Sequence, residues 1–466
     1  MLLKNIQNFK IPEYVIIGSG PASISLALAL EKKNKKSLII EAGGWDYDEK
    51  DQNNFSGEVI GHNYFPLNTT HMRYFGGTSN AWGGYCRPLD EIDFKDWPIH
   101  KSDLIEFEDE AKNILNIKNK FENKNILNSN FNISNLEQSD VNFSTKFKDI
   151  ILNSSNIFLL LNTTLTEING KKNVETIKIK NNNEIHELKI LNLIVGCGGI
   201  ENSRILLWSR FKSKSNFLQN LKIGNYWMEH PTGYAGHFIG DINKVEKLKY
   251  FGSNSHITPS NNFLKKNMIN NLNFSFFKTP PHQNKFFRIL DDFACLAPNF
   301  SKKFIESLPI DSRLHCNYSI LATVEQKPNF NNRIELSSSI KDDFGIPKTK
   351  LYWNINNDFT NSIRVSLTEL GKNFIDSDIG RIGIDNYVFN NKVPDDIYGN
   401  YHHMGGTRIS LDSSNGVVDK NLKVHNTNNL YVIGSSVFPS AGWVNPTFTI
   451  VQLSLRLSKY LTQNKV

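Results

Sequence analysis

The sequence contains few cysteines and no long apolar run. Its 466 residues include four cysteines that lie far apart, and no Cys-x-x-Cys pair occurs; they are Cys86, Cys197, Cys295 and Cys316. A disulfide scaffold and a zinc knuckle are therefore disfavoured, and reduced cytoplasmic thiols are expected. The opening MLLKNIQNFKIPEY lacks the apolar core of a signal peptide. No apolar run approaches the roughly 18 residues needed to span a bilayer, so we expect a cytoplasmic protein without a transmembrane segment.

The positive charge of the chain also lacks the organisation of a nucleic-acid-binding surface. The net charge is +7 at pH 7, and the lysines are scattered instead of forming a basic stripe with interleaved aromatic residues. We therefore expect no nucleic-acid partner. With 39% hydrophobic and 21% charged residues, the chain has the composition of a globular protein. Its length fits two domains, or one large domain with an insertion.

The N-terminal segment has the pattern of a βαβ unit. In EYVIIGSGPASISLALALEKKNKKSLIIEAGG, a short apolar strand at 14–17 leads into a glycine-rich turn. Helical spacing follows over 22–32, and a second apolar strand at 37–40 ends at Glu41. This order is typical of the start of a parallel sheet in an α/β protein.

The turn GSGPAS has the residues of a dinucleotide-binding fingerprint. Gly18 allows the turn, and Gly20 lets the backbone approach a pyrophosphate at a helix N-terminus. Ser23 replaces the usual third small residue and still permits close packing of helix and sheet. Glu41 stands at the distance expected for a carboxylate that binds a ribose hydroxyl. The pattern predicts dinucleotide binding, whereas a purely structural glycine turn is the alternative.

Further segments indicate how the chain is organised. Two more strand-like runs end in Gly or Ser, LNLIVGCGGIENSRILL at 191–207 and NLYVIGSSVFPS at 429–440, so a sheet assembled from distant segments is expected. Short alternating runs between 226 and 389 predict antiparallel strands. The Asn-rich stretch at 121–140 has the composition of solvated surface or loop. Residues 446–461 predict an amphipathic helix with proline in its first turn.

A second glycine-rich loop occurs in RYFGGTSNAWGGYCRPLDEIDFKDWPI, residues 73–99. Two Gly-Gly pairs bracket the residues 78–82, which indicates backbone pressed against a flat or charged group. A flexible surface loop is the alternative, but Trp82 and Trp97 favour packing.

This loop resembles the flavin-attachment region of the glucose–methanol–choline (GMC) oxidoreductase family. Other motifs similar to that family follow in order over nearly the whole chain: GSGPAS with Glu41, CGGIENSRILL, GNYWMEHP, VEQKPNFNNRIEL, DDFGIPKTKLYW, HHMGGTR and NLYVIGSSVFPSAGWVNPTFTI. The resemblance implies an α/β fold, with an FAD-binding Rossmann-like domain of the glutathione-reductase type and an inserted antiparallel-sheet α+β substrate domain. The expected limits are 1–215 and 393–466 for the FAD-binding domain and 216–392 for the substrate domain.

The resemblance also implies which residues contact the cofactor. The expected FAD-binding residues are Gly18, Ser19, Gly20, Pro21, Ala22, Ser23, Glu41, Arg73, Gly76, Gly77, Thr78, Asn80, Ala81, Trp82, Gly83, Gly84, Thr164, Leu165, Cys197, Gly198, Gly434, Ser435, Asn445, Pro446 and Thr447. Some relatives attach FAD covalently through a histidine of the glycine loop. Ala81 stands at that position, so non-covalent FAD is expected.

In this family a histidine just before a Gly-Thr turn faces the flavin ring, and a second His or Asn comes from the C-terminal segment. His403 matches the first by its spacing to Gly406 and Thr407, and Asn445 matches the second. This His/Asn version is most similar to pyranose oxidases and choline oxidases. A neutral His403 could accept the hydroxyl proton of an alcohol while hydride moves to flavin N5. Asn445 could hold the substrate oxygen.

The helix that starts around Pro446 and Thr447 would direct backbone N–H groups and a positive dipole end towards the N1–C2 carbonyl side of the flavin. For His402 a structural role is favoured. For His230 we expect a structural role or a contact with the cofactor domain. Trp443 could stack on a sugar ring or belong to the core.

Other interpretations of the histidine pair are weaker. A metal site needs a third ligand, but His71, His230, His315 and His425 lie in unrelated stretches. A Ser–His hydrolase needs a Gly-x-Ser-x-Gly elbow, which the sequence does not contain. A structural His403 remains an alternative.

The leading hypothesis is an FAD-dependent oxidase or dehydrogenase of a sugar or polyol-like alcohol. Oxygen, a quinone and a carrier protein all stay open as electron acceptors. The runner-up is a lyase of the same fold that uses FAD structurally, and a noncatalytic FAD-binding protein is the third hypothesis.

Overall fold

The computed structural model describes residues 1–181, 184–213, 217–240, 255–278, 289, 318–390 and 392–463. Its strands are β1 Tyr14–Ile17, β2 Ser37–Ile40, β3 Gly57–Gly61, β4 Tyr85–Cys86, β5 Asn123–Asn125, β6 Phe131–Asn135, β7 Glu137–Gln138, β8 Ile157–Leu160, β9 Thr163–Gly170, β10 Val174–Asn181, β11 Glu184–Lys189, β12 Asn192–Val195, β13 Thr232–Gly240, β14 Ser255–Pro259, β15 Leu272–Lys278, β16 Tyr318–Val324, β17 Arg333–Lys341, β18 Pro347–Trp353, β19 Gly380–Ile384 and β20 Leu430–Val432. Its α-helices are α1 Pro21–Glu31, α2 Glu49–Gln52, α3 Ser102–Ile105, α4 Glu108–Leu115, α5 Phe143–Asn153, α6 Gly198–Lys212, α7 Asn261–Asn267, α8 Asp358–Asp376 and α9 Thr447–Gln463. Short 3-10 helices cover Asn53–Phe55, Leu67–Thr69, Gly77–Asn80, Glu91–Asp96, Asn386–Val388 and Ser435–Val437.

A five-stranded parallel sheet, in the order β20-β12-β1-β2-β8, lies in the first hydrophobic core. Strand β1 is central and in register with both neighbours, so that Val15 lies opposite Leu38 and Leu193. All four residues of β1 are buried, as expected for a parallel strand covered on both faces. Strand β20 comes from the C-terminal part of the chain and pairs with β12. The predicted assembly of a sheet from distant segments is therefore confirmed.

Helix α1 follows β1 after the glycine turn and contacts β1, β2 and α9. Gly20 is its N-cap and Pro21 its first residue, where a missing N–H costs nothing. Eight of its 11 residues are buried, which explains why it is apolar on nearly every side. The predicted C-terminal helix is confirmed as α9, and the hydroxyl of Tyr14 donates to the carbonyl of Leu461 at 3.1 Å. The two ends of the chain are thus packed together.

A seven-stranded antiparallel sheet, in the order β19-β13-β16-β15-β14-β6-β5, forms a second core with α8. Strand β16 alternates fully and partly buried residues with the period of two expected for such a sheet. Phe238, Phe274 and Phe374 are completely buried in this core. The antiparallel strands predicted between 226 and 389 are confirmed here, with one exception. Strand β18 pairs antiparallel with β17 but parallel with β3.

The Asn-rich stretch at 121–140 is not the surface loop that its composition suggested. It contains β5, β6 and β7, and β6 pairs antiparallel with β14 at the edge of the seven-stranded sheet. The reason is that Ile126 and Phe131 are buried in the second core and hold the strands there. Conversely, Ile334 and Leu351 of β17 and β18 are buried in the first core. The two cores therefore mix segments that are distant in sequence.

The structure describes two of the four cysteines. Cys86 and Cys197 are free, whereas Cys295 and Cys316 lie outside the described residues. Within the part of the chain that the structure describes, no helix has both the length and the apolar character needed to cross a bilayer.

Candidate active site

A cavity of about 520 Å³ lies at the carboxyl end of the parallel sheet, where Ile17, Ile40 and Gly196 follow or end their strands. The first residues of α1, α6 and α9 also border it. Ligands of open α/β sheets bind at this edge, because the helix N-termini point there. The cavity therefore lies where the sequence predicts a dinucleotide site.

Most residues expected to contact the cofactor line this cavity. They are Gly18, Ser19, Gly20, Pro21, Ala22, Glu41, Arg73, Gly77, Thr78, Ala81, Trp82, Gly83, Gly84, Thr164, Leu165, Cys197, Gly198, Gly434, Ser435, Asn445, Pro446 and Thr447. Three of the expected residues, Ser23, Gly76 and Asn80, lie behind its wall. The hydroxyl of Ser23 donates to the Gly196 carbonyl, and the amide of Asn80 donates to two carbonyls of its own loop. Gly76 packs against the backbone of Ser144.

In the glycine turn, Gly18 packs closely against the backbone of Gly196, whereas Gly20 faces open space. Gly18 has φ +91°, and a Cβ there would lie 2.6 Å from the carbonyl oxygen of Gly196, so glycine is required. At Gly20 no heavy atom lies within 4 Å of the position a Cβ would take. Because Gly20 borders the cavity at the start of α1, this space is open to a ligand. A pyrophosphate at this point would meet backbone N–H groups and the positive helix end.

Glu41 is buried at the end of β2 and held in a fixed orientation. Its Oε2 accepts from the backbone N–H of Ser19 at 2.9 Å and from the Ser19 hydroxyl at 2.7 Å, and its Oε1 accepts from Gly43 N–H at 2.9 Å. An ionised carboxylate offers about four acceptor positions. At least one therefore remains for a ribose hydroxyl. Together with the space at Gly20, this donor and acceptor set fits the ADP half of FAD.

Another part of the wall comes from β9 and from the second glycine-rich loop, which begins at Arg73. Arg73 donates to the Thr164 hydroxyl at 2.7 Å and to Asp51 at 3.0 Å. The indole of Trp82 donates to the Val141 carbonyl at 3.1 Å, and the buried Trp97 donates to the Ser440 hydroxyl at 2.7 Å. The prediction that this loop is packed is thus confirmed.

His403 is buried with 6% exposure and borders the same cavity. An antiparallel bridge between Met228 and Met404 fixes its segment, and its carbonyl accepts a hydrogen bond from the Ser435 hydroxyl. Its Nε2 lies 2.9 Å from the hydroxyl oxygen of Tyr64. Burial, and then the nearby His71, lower the pKa of His403 well below its ordinary value. The imidazole is therefore neutral near pH 7 and suited to accept a proton.

Asn445 reaches this cavity from the loop before α9 and is partly buried. Pro446 precedes the helix, and its carbonyl accepts from the N–H of Ile450 at 3.0 Å. The free N–H groups of the first turn are at Thr447 and the residues after it. Asn445 and the start of α9 thus border one cavity with His403, although 42 positions separate His403 from Asn445 in the sequence.

His402 and His230 contact each other through their Nδ1 atoms, at 2.9 Å. The Nε2 of His230 lies 3.4 Å from the Ala441 carbonyl, and burial lowers the pKa of His230 to about 4. Trp443 is buried with 2% exposure and donates to Asp90 at 2.8 Å, so it belongs to the core. Its role as a sugar platform is not supported.

Sequence reasoning missed several residues at the cavity. The ring of His71 lies edge-on to His403 with 5.7 Å between centroids, and His230 contacts His402, so the expectation that these two histidines are unrelated to the pair was wrong. Glu201 and Arg204 of α6 also line the cavity and form an ion pair at 2.9 Å. His315 lies outside the described residues, and within those residues no group of three or more His, Cys, Asp or Glu side chains is placed to hold a metal.

The parallel sheet, the glycine turn and the residues that line the cavity are those of a dinucleotide-binding protein, and they suit FAD. Residues 328–454 match the family model of the C-terminal GMC oxidoreductase domain. A segment of 139 residues is 32% identical to the fructose dehydrogenase large subunit of Gluconobacter japonicus; it covers 29% of this chain and 24% of that relative. The chain thus spans about a quarter of the length of this relative.

The fold is similar over nearly the whole chain to a solved structure. The crystal structure of pyridoxine 4-oxidase from Mesorbium loti superposes with a TM-score of 0.62 and 13% identity, covering 98% of this chain and 100% of that one. At this identity the likeness concerns the fold. The family model confirms the resemblance to the GMC oxidoreductases over residues 328–454, and FAD is the cofactor of that family. The likeness to the solved structure confirms the expected fold class.

Proposed function

We propose that this protein is an FAD-dependent oxidoreductase that acts on the CH–OH group of a small alcohol. The observation that carries the proposal is the shared cavity: His403 and Asn445 border the same space as the glycine turn and Glu41. Bound FAD supplies the acceptor for the hydride that leaves the alcohol carbon. The residues of the chain supply binding, orientation and the path of the proton.

His403 is proposed as the base. If its Nε2 carries the hydrogen and donates to Tyr64, its Nδ1 has a free lone pair. That lone pair would accept the hydroxyl proton of the alcohol while the C–H electron pair leaves as hydride. Proton transfer by a positioned side chain is worth about 10²–10⁴-fold in rate.

Asn445 is proposed to hold the substrate oxygen. Its side-chain NH₂ can donate to an alcohol oxygen that becomes a carbonyl oxygen, which fixes the distance between the reacting carbon and the cofactor. The first turn of α9 would stabilise negative charge that develops on bound FAD, because its backbone N–H groups are unpaired by the helix and its dipole is positive at this end.

For the substrate we propose a sugar or polyol-like alcohol. The match to a segment of a fructose dehydrogenase supports this class. Pyridoxine is a further test compound, because the solved structure of similar fold is a pyridoxine 4-oxidase. The acceptor that reoxidises the cofactor can be oxygen, a quinone or a carrier protein. An anaerobic assay of the reductive step is independent of that choice.

The test is anaerobic reduction of the purified holoprotein by a panel of hexoses, sugar alcohols, simple alcohols and pyridoxine, followed as loss of oxidised-flavin absorbance. We expect reduction by at least one compound, and a rate about 10²–10⁴-fold lower in His403→Ala with FAD still bound. His425→Ala is the matched control, because its ring contacts Ser410 and does not border the cavity.

Wild-type reduction rates in both His403→Ala and Asn445→Ala would reject the assigned roles. If no compound reduced the flavin but the protein cleaved a cyanohydrin, the lyase hypothesis would instead be favoured. Bound FAD without either reaction would favour a noncatalytic FAD-binding protein.

A further inference from the structure

A chain of hydrogen bonds leads from His403 away from the cavity. The Nε2 of His403 lies 2.9 Å from the hydroxyl oxygen of Tyr64, and that hydroxyl donates to Oε2 of Glu229 at 2.5 Å. Glu229 is completely buried. Neither Tyr64 nor Glu229 borders the cavity, so both can affect a substrate bound there only through His403.

The fold holds this chain of groups rigidly. Met228 and Met404 exchange backbone hydrogen bonds of 2.8 and 3.0 Å, which sets Glu229 beside the segment of His403. The ring of Tyr64 packs edge-on against Trp353, with 4.9 Å between centroids, and against Trp227, with 5.8 Å. A hydroxyl fixed between an imidazole and a carboxylate at these distances can exchange protons with both.

We propose that Tyr64 and Glu229 form a proton relay behind His403, in which Glu229 stores the proton that His403 takes from the alcohol. This inference rests on the proposed function, because it assigns an end point to the proton removed in that reaction. Tyr64 and Glu229 are positioning residues in this scheme, since His403 alone meets the substrate.

The transfer conserves every proton. The bond between the substrate oxygen and its hydrogen breaks, and a bond from that hydrogen to Nδ1 of His403 forms. The hydrogen on Nε2 of His403 passes to the Tyr64 oxygen, and the Tyr64 hydroxyl hydrogen passes to Oε2 of Glu229. His403 and Tyr64 end neutral, and the negative charge of the Glu229 carboxylate is discharged.

The surroundings of His403 and Glu229 favour proton transfer from the imidazole to the carboxylate. Burial and the neighbouring His71 lower the pKa of His403 well below its ordinary value, so an imidazolium is a poor resting place for the proton. Burial raises the pKa of Glu229 to about 7, so its protonated form is accessible at neutral pH. A free energy gain therefore drives the proton from the imidazole to the carboxylate.

The groups that face Glu229 add no positive charge that would hold it as a carboxylate, and burial outweighs the backbone hydrogen bonds that lower its pKa. Its Oε1 accepts from the backbone N–H groups of His230 and His402 at 2.8 and 2.9 Å, and its own N–H donates to Gln326. The rings of His230 and His402 are paired with each other and have lowered pKa values, which keeps them neutral. Among the described residues no Lys or Arg nitrogen forms an ion pair with Glu229.

Tyr64 conducts the proton but does not keep it. Burial and the adjacent Glu229 raise the pKa of Tyr64 well above its ordinary value, so a tyrosinate does not form. The hydroxyl must accept one proton as it releases another. Tyr64→Phe removes this link while retaining the ring that packs against the two tryptophans.

The test has a readout that is independent of turnover. Infrared spectra of the oxidised holoprotein, recorded as a function of pH, should show the carboxylic C=O band of a buried acid that titrates near pH 7. The band should be absent in Glu229→Gln. Glu325→Gln is the matched control, because Glu325 is a half-buried glutamate whose pKa is also raised by burial, yet its partners are Asn271 and Gly442 and no hydrogen bond joins it to His403.

The second readout is the pH profile of anaerobic flavin reduction. In the wild type the rate should rise with pH through about 7, as Glu229 ionises and becomes an acceptor. Glu229→Gln and Tyr64→Phe should each lose this dependence and be about 10²-fold slower, at the lower end of the range for positioned proton transfer. Glu325→Gln should keep the wild-type profile.

The outcomes separate this inference from the proposed function. Reduction that depends on His403, with wild-type rates and pH profiles in Glu229→Gln and Tyr64→Phe, would overturn the relay and leave the proposed function intact. The absence of a titrating band assigned to Glu229 would also overturn the relay. A titrating Glu229 in a protein that no alcohol reduces would count against the proposed function and support Glu229 as the proton-holding group.

Discussion

The alanine variant of Gly20 tests whether the cavity at the glycine turn binds FAD. Gly20 has φ −74° and ψ −178°, which alanine adopts without strain, and no heavy atom lies within 4 Å of the new Cβ. The free energy of unfolding of the apoprotein should therefore change by less than about 1 kcal/mol. With FAD bound, the methyl group would occupy space that the pyrophosphate needs, and such overpacking costs about 1–3 kcal/mol.

At about 1.4 kcal/mol per tenfold change in affinity, this cost corresponds to a Kd for FAD about 5- to 140-fold higher. Kd is measured by fluorescence titration of the apoprotein with FAD, and apoprotein stability by urea unfolding. Gly18→Ala is the contrasting variant. Its φ of +91° and the oxygen 2.6 Å from the new Cβ should destabilise even the apoprotein, by at least about 1 kcal/mol. A wild-type Kd in Gly20→Ala would refute the assignment of this turn to the pyrophosphate.

Three further predictions concern the non-covalent binding of FAD and two buried carboxylates. Because Ala81 stands where some relatives carry a histidine, acid precipitation should release all flavin, and flavin that stays on the washed protein would contradict this expectation. Burial alone would raise the pKa of Glu201, but the Arg204 guanidinium outweighs burial and lowers this pKa from 4.5 to about 2. The ionised Glu201 therefore contributes about 3 kcal/mol to the free energy of unfolding above pH 4.5, and this contribution should be lost as the pH falls to 2. Urea unfolding at several pH values should show this loss in the wild type and less of it in Glu201→Gln. Asp342 contacts Arg204 at 2.5 Å, and Arg204 keeps Glu201 as a second partner, so Asp342→Asn should cost about 1.5–3 kcal/mol in the same assay. The surface variant Glu110→Gln should cost at most about 1 kcal/mol.

The features that the sequence predicted best are local ones. The turn at Gly18 and Gly20 stands between a continuous apolar strand and an apolar helix, and both elements follow from residue spacing within a few positions. Glu41 follows in the next strand at a distance set by the βαβ unit. Such patterns are visible because the residues that interact are neighbours in the chain.

The features that the sequence did not predict depend on contacts between distant segments. Tyr64 is 165 positions from Glu229 and 339 positions from His403, and no motif in the sequence around Tyr64 indicates that it contacts either residue. A carboxylate within the largely apolar stretch NYWMEHP was the available signal for Glu229, since a buried acid requires a hydrogen-bonding partner. His71 was missed for the same reason, because its proximity to His403 arises from the fold.

The Asn-rich segment was misjudged because composition was given more weight than periodicity. In FNISN the apolar residues alternate with polar ones, and Phe131 inserts into the core while its neighbours pair with β14. Tertiary packing thus overrides the low strand propensity of asparagine.

The pairing of β20 with β12 and the docking of α9 on α1 have a consequence for biosynthesis. A nascent polypeptide that has emerged from the ribosome only as far as residue 420 lacks both Asn445 and the edge strand of the parallel sheet. Loading of the flavin must then wait until residues 430–447 have been translated, and during that interval the exposed edge of β12 is open to aggregation. Expression yield should therefore depend on how quickly residues 430–447 pack onto the sheet after they are translated.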